Sequence, residues 1–144
     1  MTIDVAVETE IAAAPADIAA VMFDPQREPD WMKAVTGVEL VDPALKPGAR
    51  VTHRATFMGR NVAWTTEVEA VHFPHVLAMK IPVGPYIGVL RYDIQRNGAG
   101  SKVRIRTAGE AAQLGALPNG LVTEPLKALL NDYLGRLKGL VERR

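Results

Sequence analysis

Residues 124–142 read EPLKALLNDYLGRLKGLVE. Leu126, Leu129, Leu130, Tyr133, Leu134, Leu137, Leu140 and Val141 recur at helical spacing as one apolar stripe, and Lys127, Asp132, Arg136 and Lys138 lie off it. Two readings stay open at the front of this helix. It starts at Pro125, or it begins near residues 119–121 and kinks at the proline, which lacks an N–H and clashes with the turn before it. At about 20 to 25 residues the helix is about 30–37 Å long. A stripe of that length needs a large apolar surface to cover.

The surface is supplied upstream. Residues 2–11 alternate, with Ile3, Val5, Val7, Thr9 and Ile11 on one face and charged residues on the other, which reads as a half-buried strand. Further strands are expected near 38–41, 49–58, 61–71, 76–82, 86–96 and 102–112, joined by short links such as MGRN, HFPH, VGP and NGAGS. Short links make neighbouring strands antiparallel. Between the first strand and the rest lie two short helices. One is in APADIAAVMFDP, with Pro15 in its first turn and Asp24-Pro25 as its stop. The other is in EPDWMKAVTG, with Asp30 as cap and Gly37 as end. The fold class is therefore α+β: a seven-stranded antiparallel sheet curled around a long C-terminal helix, with two short helices after the first strand.

The bulk properties agree with one domain over residues 1–144. A chain of this size buries roughly 70% of its unfolded surface, so a core forms without metal or disulfide. There are no cysteines, which excludes disulfides and thiolate chemistry. The net charge of +1 gives no reason to expect nucleic acid as a partner. No apolar run approaches the ~20 residues of a membrane span, so stable membrane insertion is not expected. MTIDVAVETEI has no basic region followed by an apolar core, so no signal peptide and a cytoplasmic location are expected. Homodimerisation is left open.

Three stretches carry a resemblance: APADIAAVMFDPQREPDWMKAVTGVELV with Pro15, Pro29 and Trp31, then KPGARV, then EPLKALLNDYLGRLKGLVE. Together with the order of elements they resemble the START-related, birch-pollen-allergen-like (SRPBCC) superfamily, and within it the polyketide cyclase/dehydrase-like group. The resemblance implies a helix-grip fold with a cavity between the concave sheet and the long helix. It also implies an apolar small-molecule ligand (lipid, sterol, polyketide or aromatic metabolite) and no cofactor. It carries over no catalytic signature.

Alternation predicts what lines that cavity. The inward sets are Val51, His53, Ala55, Phe57; Val62, Trp64, Thr66, Val68, Ala70; Leu77, Met79, Ile81; Tyr86, Gly88, Leu90, Tyr92, Ile94; and Val103, Ile105, Thr107. Arg54, Glu67, Glu69, Lys80, Arg91, Asp93, Lys102, Arg104 and Arg106 fall outward. The candidate ligand contacts are His53, Phe57, Trp64, Thr66, Met79, Tyr86, Leu90, Tyr92 and Thr107 from the sheet, with Leu126, Leu130 and Tyr133 from the helix. An apolar wall with a few convergent polar groups is the usual make-up of a small-molecule site.

His53 stands out as an imidazole on an apolar face. It reads as a hydrogen-bonded core histidine, as a ligand anchor, or, with Tyr92, as the acid/base pair of a cyclase or dehydratase. Trp31 is expected to close the small helices onto the sheet. His72 and His75 in HFPH lack a third ligand, and no metal site is expected. No carboxylate pair, nucleophile motif or phosphate loop is evident. The segment GEAAQLGALPNG, with Leu114 and Leu117, has the composition of a gate over the entrance.

Overall fold

A computed structural model describes residues 2–42, 44–111 and 119–143, with residues 119–121 described by backbone alone. The chain order is β1 (Thr2–Ile11), α1 (Pro15–Met22), a 3₁₀ turn (Pro25–Arg27), α2 (Glu28–Trp31), β2 (Val35–Leu40), β3 (Arg50–Phe57), β4 (Arg60–His72), β5 (Val76–Val83), β6 (Ile87–Asn97), β7 (Gly100–Glu110) and α3 (Asn119–Glu142). The strands form one sheet in the order β1-β7-β6-β5-β4-β3-β2, every pair antiparallel. The two short helices carry the chain from one edge of this sheet to the other. The helix-grip arrangement expected from the sequence is the one observed.

α3 runs from residue 119 through Pro125, so the proline lies inside the helix. Val122, Leu130, Tyr133, Leu134, Leu137 and Val141 form its buried stripe. The helix packs chiefly on β1, with α1 and α2 against it, and stands off the central strands. Its far end is tied down by Glu142, whose Oε2 accepts from the Ala12 N–H at 2.7 Å and from Lys138 Nζ at 2.6 Å. The segment expected to act as a gate, with Leu114 and Leu117, falls largely on 112–118, outside the described residues.

Two local expectations are corrected. The second helix is four residues long, Glu28–Trp31, and the chain is already a strand at Val35. Pairing of Val35–Leu40 with β3 prevails over the helical spacing of KAVTG. Asp30 is not the cap either. Asp24 caps the preceding turn, accepting from the Gln26 N–H at 3.0 Å, and Asp30 pairs with Arg27 at 3.1 Å. In β4, the register against β5 shifts between Val68 and Ala70, so Val71 opposes buried Leu77 while Ala70 opposes Ala78. Val71 packs against the core in place of Ala70. One extra residue in a bulge reverses the faces beyond it.

On the outer face the charges pair across strands, as Arg106–Asp4 at 2.9 Å, Arg50–Glu67 at 2.9 Å and Lys102–Glu8 at 3.5 Å. One point of the inner face is bare. Gly88 on β6 and Gly109 on β7 are register partners. A Cβ at Gly88 would lie 1.9 Å from the Ala108 carbonyl oxygen, and one at Gly109 would lie 2.4 Å from that of Ile87. The two strands approach too closely there for any side chain.

Candidate functional site: two spaces behind one wall

Where α3 stands off the sheet, a cavity of about 420 Å³ opens. This is within the ~300–1,000 Å³ range of small-molecule sites. Its sheet wall includes Ala55, Phe57, Val62, Trp64, Leu90, Tyr92 and Thr107, with Tyr86 from the loop before β6, and its helix wall includes Val122, Leu126, Leu129, Leu130 and Tyr133. Among the sequence candidates, Phe57, Trp64, Tyr86, Leu90, Tyr92, Thr107, Leu126, Leu130 and Tyr133 border this space.

Few polar groups reach it. The Thr107 hydroxyl donates to the Val89 carbonyl at 3.1 Å, so it accepts from the Tyr86 hydroxyl at 2.6 Å. That chain commits the Tyr86 proton inward and leaves its oxygen to the cavity as an acceptor. Burial pushes the Tyr86 phenol up, with the hydrogen bond to Thr107 opposing. Burial holds Tyr92 well above the ordinary 10.0, helped by the nearby Glu28 charge. It also pushes Tyr133 up to about 12, against the opposing influence of the Ala34 backbone. Both phenols therefore keep their protons at physiological pH. Trp31, fully buried, is packed edge-on against Tyr92 and Tyr133 at ring separations of 6.0 and 6.2 Å, and so fixes both rings. Its Nε1 has no hydrogen-bond partner among the described residues.

His53, Thr66 and Met79 do not border the large cavity. The structure places them around a second space of about 30 Å³, which shares Met32, Trp64, Leu90 and Tyr92 with the first as a common wall. This corrects their expected place as direct lining of the main cavity. Here the histidine is fully engaged. Its Nδ1 lies 2.6 Å from Glu28 Oε1 and its Nε2 lies 2.8 Å from Thr66 Oγ1. All three residues are buried. One ring nitrogen thus faces the carboxylate and the other the Thr66 hydroxyl. The strand register explains the rest. His53 and Trp64 are cross-strand partners and their rings stack at 5.1 Å, 10° apart, while Thr66 lies one diagonal step along β4.

Glu28 is the member that the sequence reading missed. It sits at the first position of a four-residue helix, between prolines, where no periodicity assigns a face. The acidic residue ahead of Pro29 was the available signal, since carboxylates favour a helix start. Elsewhere, His75 Nδ1 donates to the Ile94 carbonyl at 2.9 Å, so HFPH has spent one imidazole on the backbone. Among the described residues there is no group of three or more metal-ligating side chains, and no helix is long and apolar enough to cross a membrane.

A concave antiparallel sheet closed by one long helix defines the helix-grip class. Residues 2–142 match the family described as polyketide cyclase/dehydrase and lipid transport, and the chain belongs to that family, within the START/birch-pollen-allergen-like (SRPBCC) superfamily. Solved structures agree in fold. TTHA0849 from Thermus thermophilus is 22% identical, with a TM-score of 0.82 over 96% of each chain. A START superfamily protein from Mycobacterium smegmatis is 17% identical, with a TM-score of 0.83 over 97% of each. The Zhui aromatase/cyclase from Streptomyces sp. R1128 is 17% identical, with a TM-score of 0.79, over 100% of this chain and 96% of that one. Comparison with curated protein sequences gives no match.

Proposed function

We infer that this protein binds one mainly apolar small molecule, a lipid, sterol, polyketide or aromatic metabolite, in the cavity beneath α3. The observation that carries this is a 420 Å³ space whose wall is apolar except for a few hydroxyls and the exposed Arg60. Phe57, Trp64, Leu90, Leu126 and Leu130 supply apolar contact, each buried CH₂ contributing about 0.8 kcal/mol before the cost of association. Tyr86, backed by Thr107, and Tyr92 and Tyr133 offer hydroxyls to polar groups along the ligand's body.

The chain Glu28–His53–Thr66 favours a second reading, a cyclase or dehydratase in the same cavity. His53 and Tyr92 both border the 30 Å³ space, which is large enough for one water molecule between them. In this reading His53 takes or returns a proton, with Glu28 holding its tautomer, and Tyr92 donates to a ligand oxygen.

Native mass spectrometry of gently purified protein tests both. The first reading expects a discrete excess mass that is lost on denaturation. It also expects that mass to fall about tenfold in occupancy in Ala55→Leu, which fills the cavity with a side chain. Wild type and Ala55→Leu with identical occupancy would count against it. Returning the released molecule to fresh protein separates the second reading. Conversion by wild type but not by His53→Ala supports the enzyme, and recovery unchanged supports the carrier.

A further inference from the structure

The alternation that places Val62 and Trp64 on the concave face extends one step back, to Arg60. The register agrees, since Arg60 is the cross-strand partner of inward Phe57. Among the described residues it is the one charged residue bordering the large cavity. Arg50, Arg54, Arg91 and Arg106 on the same sheet each face a carboxylate within 4 Å, whereas Arg96 and Arg104, which like Arg60 have no such partner among the described residues, do not border the cavity. The Arg60 side chain has no ion pair or hydrogen bond among the described residues. It is exposed, at the open end of the cavity.

The turn that presents it is also unusual. Met58 and Gly59 join β3 to β4 with φ of 52° and 75°. Glycine accepts this freely and asparagine nearly so, but methionine does so under strain. The strained residue borders the cavity too. The hairpin tip therefore sets a thioether and a free guanidinium at the mouth of an apolar space.

We propose that the mouth at Arg60 takes the carboxylate of an amphipathic monoacid whose apolar body fills the cavity. The guanidinium fork matches a carboxylate through two parallel N–H···O bonds. A single cation, with no second among the described lining residues, suits a monoanion better than a phosphate dianion. An acid group at the mouth also keeps part of its hydration, whereas one placed among Leu90, Tyr92 and Ile105 would lose it without compensation. The inference rests on the cavity being the ligand site and adds the ligand's charge and its orientation, acid end outward.

Calorimetric titration with decanoate, decanol, decyl phosphate and decylammonium tests this, using wild type, Arg60→Gln and Arg60→Glu. Arg60 is exposed, so the fold tolerates both changes. In wild type at low salt, decanoate is expected to bind about three- to tenfold tighter than decanol, with decyl phosphate no tighter than decanoate. The preference should vanish in Arg60→Gln with decanol affinity unchanged, and pass to decylammonium in Arg60→Glu. Equal binding of decanoate and decanol by wild type overturns the carboxylate inference and leaves the cavity reading intact. Tighter binding of the phosphate overturns the choice of a monoanion. Binding of none of the four overturns both readings.

Discussion

The two spaces share a wall and differ in size and in how far their polar groups are already paired. The larger is apolar, open at one end and lined by side chains with hydrogen-bonding capacity to spare. The smaller, also walled mostly by apolar side chains, holds a polar group that is already satisfied, its imidazole held on both nitrogens. The large space gains free energy only when something enters it, because its lining carries uncovered apolar area. The small one has its interactions already made, and opening it would leave buried polar groups without partners. One is built to be filled and the other to hold its shape, with Trp64 and Tyr92 belonging to both.

The sharpest way to break this contrast is to empty the small space. Glu28→Ala removes the carboxylate from a buried imidazole and is expected to cost about 3 kcal/mol in urea unfolding. His53→Ala should cost about as much, and the pair should fall short of additivity by about 1 kcal/mol or more. Fully additive losses would show that the contact carries no coupling. Ala55→Leu, by contrast, adds atoms to the large space and should cost binding rather than stability.

A smaller effect comes at high pH. Tyr133 has a folded pKa of about 12 against 10.0 for the free phenol. A raised folded pKa gives stability that is fully present below the unfolded value and lost as pH rises through the folded one. Base unfolding is therefore expected between about pH 10 and 12, and Tyr133→Phe should flatten that dependence. Ultraviolet titration should show Tyr133 and Tyr92 ionising later than Tyr in a peptide. Coincident ionisation at the ordinary value would mean that both phenols are open to water.

The smallest effect lies at the far end of α3. The Ala12 N–H, then Lys138, hold the Glu142 carboxyl below its ordinary range. A lowered folded pKa gives stability that is present above the unfolded value of about 4.5 and lost as pH falls through the folded one. Glu142→Gln should thus unfold more easily than wild type at neutral pH and match it in acid. A deficit that persists unchanged in acid would assign the loss to packing alone.

The fold was legible because its signals are periodic. Alternation located the strands and put His53 inward, and the leucine stripe located α3. Arg60 was legible by the same rule, one step before Val62, but the strand was expected to begin at residue 61. Glu28 was not legible. Its partner His53 is 25 positions away, and its helix is too short to show a face. Val71 in place of Ala70 was not legible either, since a bulge is set by how two strands pair and not by the pattern of one. Regular elements announce themselves locally, whereas the polar centre is assembled from a short helix and two strands meeting at long range.

Gly88 and Gly109 constrain how this sequence can change over generations. A methyl at Gly88 would strike the backbone of the neighbouring strand, not a side chain. Most tight contacts can be traded, with one residue growing as its partner shrinks. Here the partner is already glycine and the obstacle is the peptide itself, so no compensating substitution across the pair exists. The position is a fixed point for the lineage. Ligand preference can drift through the residues around the cavity, but the close approach of β6 and β7 at these glycines leaves no room for a side chain.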